Sequence, residues 1–198
     1  MLPWLPVDRA WLLGGVLFAG SVGVVRSLTF RPKLTSHASL LLIGDAFAGG
    51  MGPHFQAITR DAGIPYLGAG IPQATIQQWV DSQWLLEKLE ERRPTHVLVS
   101  LGASDAYSDI EPEEAAEDAK ALVAIIRDFD ASPIWIGTPP LPPVFKDETL
   151  DTETTAAIRA AVPHYFDSDF EIPRGPDGLH PTAAGYAGWT GLVWRWLS

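Results

Sequence analysis

From Ser39 onward, short apolar runs alternate with longer amphipathic stretches. Ser39 to Ile43 (SLLLI), Pro65 to Leu67, His96 to Leu101 (HVLVSL), Pro133 to Gly137 (PIWIG) and His164 to Phe166 read as short strands, mostly apolar on both faces. Strands of that kind belong to parallel sheets covered by helices on both sides. Phe47 to Ala62, Thr75 to Arg92, Pro112 to Phe129, Thr152 to Ala161 and Thr182 to Leu197 have the length and spacing of crossover or covering helices. Pro112, followed by Glu113 and Glu114, marks one start, because proline tolerates the first helical turn and the helix dipole favours acids there. The repeating strand–helix order predicts an α/β fold: a three-layer α/β/α sandwich around an open parallel sheet of about five strands, with right-handed crossovers. Ligands of such sheets bind beyond the carboxyl ends of the strands, so the residues following each strand are the ones to inspect.

The N-terminal segment, residues 1–33, is a separate unit. Ala10 to Val25 is an uncharged run of 16 residues followed by Arg26, Arg31 and Lys33. That is shorter than the roughly 17 to 25 residues of a spanning helix and close to the 7 to 15 or so of a signal-peptide core. The positive charges follow the run rather than precede it, and Ala19-Gly20-Ser21 is only a poor cleavage site, so an uncleaved anchor or docking segment is favoured over a removed signal. A membrane-associated or exported envelope protein is the expected setting. The alternative is an apolar helix buried against a partner in an assembly. Residues 34–198 form the domain proper.

Composition narrows the chemistry. Hydrophobic residues make up 46% and charged residues 19%, a balance that folds rather than stays disordered. The net charge of −10, without a basic run, lacks the electrostatic footprint of nucleic-acid binding. The absence of cysteine excludes disulfides, thiolate metal sites and a cysteine nucleophile. His37, His54, His96 and His164 show no metal-ligand spacing, and no metal or cofactor is expected. Gly68-Ala69-Gly70, with Glu87 or Glu90 about twenty residues on, faintly suggests a dinucleotide turn, but Gln73 stands where its third glycine belongs. Neither a phosphate-binding G-x-x-x-x-G-K-[ST] loop nor a G-x-S-x-G elbow occurs. Of the eight tryptophans, Trp79 and Trp84 are the candidates for a sugar-stacking rim, whereas Trp135, Trp189, Trp194 and Trp196 read as core. The proline-rich stretch Thr138 to Val144 reads as a rigid loop on the site's edge.

Four blocks fall at predicted strand ends: Gly44-Asp45-Ala46-Phe47, Gly68 to Thr75, Gly102-Ala103-Ser104-Asp105, and Asp177-Gly178-Leu179-His180-Pro181. Singly, each has a structural reading, as turn glycines or an N-cap aspartate. Together, over roughly Ser39 to Trp189, their order and spacing resemble the SGNH hydrolases, also called the GDSL esterase/lipase family. LLLIGDA and DGLHPTAAGY carry most of the likeness. The resemblance implies a flavodoxin-like sheet and a serine esterase working through an acyl-enzyme. It places the nucleophile at position 46, its base at His180 and the orienting acid at Asp177. The oxyanion donors would be the Ala46 backbone, Gln73 and Ser104, with Gly44, Asp45, Gly102 and Asp105 in support. The implied substrate is a small ester, with an acetyl group on a surface polysaccharide as the example.

Three positions depart from that pattern. Ala46 replaces the nucleophilic serine, Gln73 a glycine and Ser104 an asparagine. Without a hydroxyl at 46 no acyl-enzyme forms. Ala46 then has two readings: a replacement introduced into an esterase, consistent with the intact Asp177/His180 motif, or a natural pseudoenzyme serving as a binding or structural module, consistent with Gln73 and Ser104.

Overall fold

The computed structural model describes residues 32–142 and 148–198. The Ala10 to Val25 segment lies outside them. Five parallel strands, β1 (Leu40–Gly44), β2 (Tyr66–Gly70), β3 (His96–Ser100), β4 (Ser132–Ile136) and β5 (Tyr165–Phe166), form one sheet in the order β2-β1-β3-β4-β5. The helices are α1 (Ala46–Asp61), α2 (Ile76–Val80), α3 (Gln83–Arg92), α4 (Ala103–Tyr107), α5 (Pro112–Asp128), α6 (Glu148–Ala161) and α7 (Ala183–Leu197). The chain order reverses between β1 and β3. In a doubly wound sheet that is the switch point where a crevice opens.

Alternation along β1 assigns the two faces. Leu40 and Leu42 pack with Phe47, Met51 and Phe55 of α1 and with Trp189, Val193 and Leu197 of α7. Leu41 and Ile43 pack on the other side with Leu85 and Leu89 of α3 and with Leu122 and Ile126 of α5. All five residues of β1 are buried, as a strand covered on both faces requires. The edge strand β2 is only half-buried.

Two helical expectations change. The single helix expected over Thr75 to Arg92 is two helices, because Ser82 adopts an extended conformation and its side chain accepts from the Leu85 N–H as a new N-cap. The second change is α4, a five-residue helix not anticipated from the sequence. The glycines Gly68 and Gly70 lie inside β2 rather than in a turn, and α2 starts at Ile76, so there is no glycine turn feeding a helix of dinucleotide type. Among the described residues no helix is long and apolar enough to cross a membrane.

Candidate active site

Strand register levels the turns that carry the four blocks. Gly44 pairs with Gly70 on one side and Ser100 on the other, so the chain leaves β1, β2 and β3 at the same height. The turns are then stitched together. The Asp45 N–H donates to the Ser100 carbonyl at 3.2 Å, and the Ile71 N–H to the Gly44 carbonyl at 2.9 Å. Only glycine fits at 44: a Cβ there would lie 2.1 Å from the Ser100 carbonyl oxygen and 2.7 Å from the Ala48 Cβ. Gly102 has φ +121°, and a Cβ would meet Ile158 at 2.9 Å.

Asp45, Ala46, Gln73, Ser104 and His180 all line one cleft of about 550 Å³. Phe47, Pro72, Tyr107, Leu141 and Leu179 supply its apolar surface. Ala46 opens the sixteen-residue α1, whose positive dipole end therefore faces the cleft. Asp45 caps that helix through its carboxylate, which accepts from the Phe47 N–H at 2.8 Å. Gly44, Gly102, Asp105 and Asp177 are not among the residues that line the cleft.

Asp177 and His180 lie on the loop before α7. Asp177 Oδ2 meets His180 Nδ1 at 2.8 Å, while its Oδ1 accepts the Leu179 and His180 N–H groups at 3.0 Å each. The hydrogen bond to His180 first, and then the two backbone donors, hold the Asp177 carboxyl below its usual range. A carboxylate on Nδ1 selects the tautomer that leaves Nε2 basic. The ring also lies 5.7 Å from that of Phe47, beside the turn that bears Ala46.

Gln73 has φ +66°, the left-handed region where an L side chain costs roughly 1–2 kcal/mol. This turn leads into a capping box: Thr75 accepts from the Gln78 N–H, and the Gln78 side chain accepts from the Thr75 N–H. The Thr-x-x-Gln spacing is visible in the sequence, although its position on the cleft wall is not. Asp105 ties this turn to α4, since Oδ1 accepts the Ile76 N–H at 3.1 Å. Its Oδ2 is buried with no hydrogen-bond partner.

Burial pushes the Asp45 carboxyl up to about 7 and the Asp105 carboxyl up to about 6, each from 3.8. Both raised values penalise the ionised folded state. The stability these groups contribute is complete below about pH 4 and is lost as pH climbs through about 6 for Asp105 and about 7 for Asp45. Asp105→Asn keeps the acceptor for Ile76 but removes the titration. The fall in unfolding free energy between pH 4 and 7, measured in urea, shrinks by on the order of 2–3 kcal/mol in that variant.

Trp79 and Trp84 are not a rim platform. Trp79 is buried and donates its indole N–H to the Gly44 carbonyl at 3.2 Å, and Trp84 packs edge-to-face against it. Likewise the Trp135 indole donates to the Leu101 carbonyl at 3.1 Å. Two buried tryptophans thus brace the ends of β1 and β3. The exposed apolar side chains beside the cleft are instead Tyr107, at 60%, and Ile71, at 53%. Leu141, from the proline-rich stretch, forms part of the cleft wall.

An Asp–His pair facing a helix start across the switch point of a parallel sheet defines a hydrolase-type scaffold. The chain belongs to the GDSL-like lipase/acylhydrolase family, whose model matches residues 42–187. No curated protein matches it. Among solved structures it is similar to the psychrotrophic esterase EstA from Pseudoalteromonas sp., with 19% identity over 79% of this chain and 94% of that one and a TM-score of 0.64. A lipase/acylhydrolase from Enterococcus faecalis gives 18% identity over 80% and 94%, with a TM-score of 0.63. The Clostridium thermocellum family 3 carbohydrate esterase gives 15% identity over 80% and 94%, also with a TM-score of 0.63.

Proposed function

We propose that the cleft receives a carboxylic ester of a short acyl group, and that this chain lacks the nucleophile needed to cleave it through an acyl-enzyme. The observation that carries the reading is the convergence of Ala46 and an Asp177-held His180 on one cleft. With a hydroxyl at position 46, His180 Nε2 takes its proton as the oxygen bonds to the acyl carbon. The resulting oxyanion is met by the position-46 N–H at the start of α1, the Gln73 N–H and the Ser104 hydroxyl. His180 then protonates the departing alcohol. Water, deprotonated in turn by His180, releases the acid and restores the hydroxyl. Asp177 stays ionised throughout and stabilises the imidazolium.

With alanine at 46, the first bond cannot form and the ester is bound intact. The apolar surface from Phe47, Leu141 and Leu179 suits the acyl group. Acylated carbohydrate remains the example for the alcohol side, without tryptophan stacking as its basis. NMR titration of this chain with p-nitrophenyl butyrate shifts the signals of Phe47, Tyr107, Leu141 and Leu179 without releasing p-nitrophenol. Shifts confined to other surfaces contradict the reading.

A natural binding module is the second reading, and the left-handed Gln73 favours it: a family glycine has been replaced at the cost of backbone strain. Such a module keeps the ligand shifts but stays inert when the hydroxyl at 46 is supplied.

A further inference from the structure

The His180 loop is closed at its base by backbone. Arg174 pairs with Pro181 as an isolated antiparallel bridge, the Gly175 N–H donates to the His180 carbonyl at 2.8 Å, and the Thr182 N–H donates to the Pro173 carbonyl at 2.8 Å. From that base the Arg174 side chain reaches two other carbonyls. Nη1 donates to Leu179, the residue before His180, and Nη2 donates at 2.5 Å to Pro140, the residue before Leu141. Leu141 and Leu179 both line the cleft.

Two carboxylates complete the arrangement. Asp151 of α6 accepts the Leu141 N–H through Oδ2 at 3.3 Å; burial raises its carboxyl above the usual range, opposed by that hydrogen bond and then by the nearby Arg174 charge. The guanidinium also feels Asp177, the acid that orients His180. One planar cation thus connects the side of the cleft carrying His180 to the wall carrying Leu141. None of the chemical steps uses it.

We propose that Arg174 is a positioning residue of this site, whose two-pronged hydrogen bonding to Pro140 and Leu179 fixes the His180 loop against the Leu141 wall. The inference rests on the reading of the cleft as an ester site. Two rigidly spaced N–H donors are what the geometry uses, and lysine, a point charge on a flexible stem, cannot hold both carbonyls in the same way. Displacing a reacting group by about 1 Å can cost on the order of 100-fold in rate. Asp177 from its own loop and Asp45 from the β1–α1 turn are the carboxylates beside His180, and the Asp177 charge is felt in turn by Arg174 and by Tyr186 of α7.

The test is Arg174→Lys, made both in the chain as it stands and together with Ala46→Ser. In the Ala46→Ser background, kcat for p-nitrophenyl butyrate falls about 10- to 100-fold, with the melting temperature held within a few degrees. In the chain as it stands, long-range 1H–15N spectra show His180 passing from one neutral tautomer to a mixture. This second measurement needs no turnover, so it still reads Arg174 if Ala46→Ser is inert and the ester reading fails. Unchanged His180 spectra, or kcat preserved within about two-fold in an active Ala46→Ser background, overturn the proposal. If Arg174→Lys does not fold, Arg174→Gln, which keeps N–H donors but no charge, is read by the same two measurements and the same criteria.

Discussion

Ala46→Ser raises the turnover of p-nitrophenyl acetate and butyrate at least about 10³-fold over the chain as it stands, and adding His180→Ala abolishes the gain. The size follows from two opposing magnitudes. Removing the nucleophile or base of a serine triad costs on the order of 10⁶ in kcat. Against this, an imperfect oxyanion donor forfeits about 10²- to 10³-fold, and the side chain of Ser104, proposed for that role, is shorter than an asparagine. The remainder is still a large and His180-dependent signal. Liberated p-nitrophenol, followed at pH 8, measures it. A folded Ala46→Ser variant with no His180-dependent rate contradicts the esterase reading and leaves the binding module.

Trp79→Ala is the substitution expected to cost most in stability, about 3–5 kcal/mol, the range for removing a fully buried large aromatic. Trp79 is buried at 1% exposure and packs within the core on the α3 and α5 side. Its indole N–H also braces the Gly44 carbonyl. Gly44 keeps a second donor in the Ile71 N–H, so Trp79→Phe, which retains most of the volume, costs far less and separates packing from the hydrogen bond. Urea unfolding of the three proteins gives the comparison. Near-equal losses for Ala and Phe would mean that the hydrogen bond, not the ring volume, dominates.

The sheet was legible because its strands obey one simple rule. Runs such as Leu40 to Ile43 are apolar at every position, and only a strand covered on both faces accommodates that. The break between α2 and α3 was harder to see, because Trp79, Trp84, Leu85 and Leu89 continue an apolar pattern across it. The signal was Ser82, a residue that competes for backbone hydrogen bonds and caps the second helix. At five residues, α4 is too short to show a period. Its capping glycine, Gly102, has the same sequence signature as a turn glycine.

The site divided in a similar way. Residues named by a local motif, Gly44-Asp45-Ala46 and Asp177 to His180, could be placed from the chain, and the structure gathers Ala46, Gln73, Ser104 and His180 onto one cleft. Arg174 could not be placed so, because its partners are backbone carbonyls 34 and 5 residues away, and carbonyls have no sequence signature. Trp79 behaves in the opposite way to a motif residue. An aromatic beside a site block suggests a stacking surface, whereas here the ring faces inward and its polar edge serves the neighbouring turn.

The most direct test of the central claim is reaction with a fluorophosphonate, followed by intact mass and peptide mapping. Such reagents phosphonylate a hydroxyl activated by a neighbouring base, with fluoride as the leaving group. The account predicts no adduct on the chain as it stands, and in Ala46→Ser a single adduct at position 46 that requires His180. An adduct on the unmodified chain, or none on a folded Ala46→Ser variant, would contradict it.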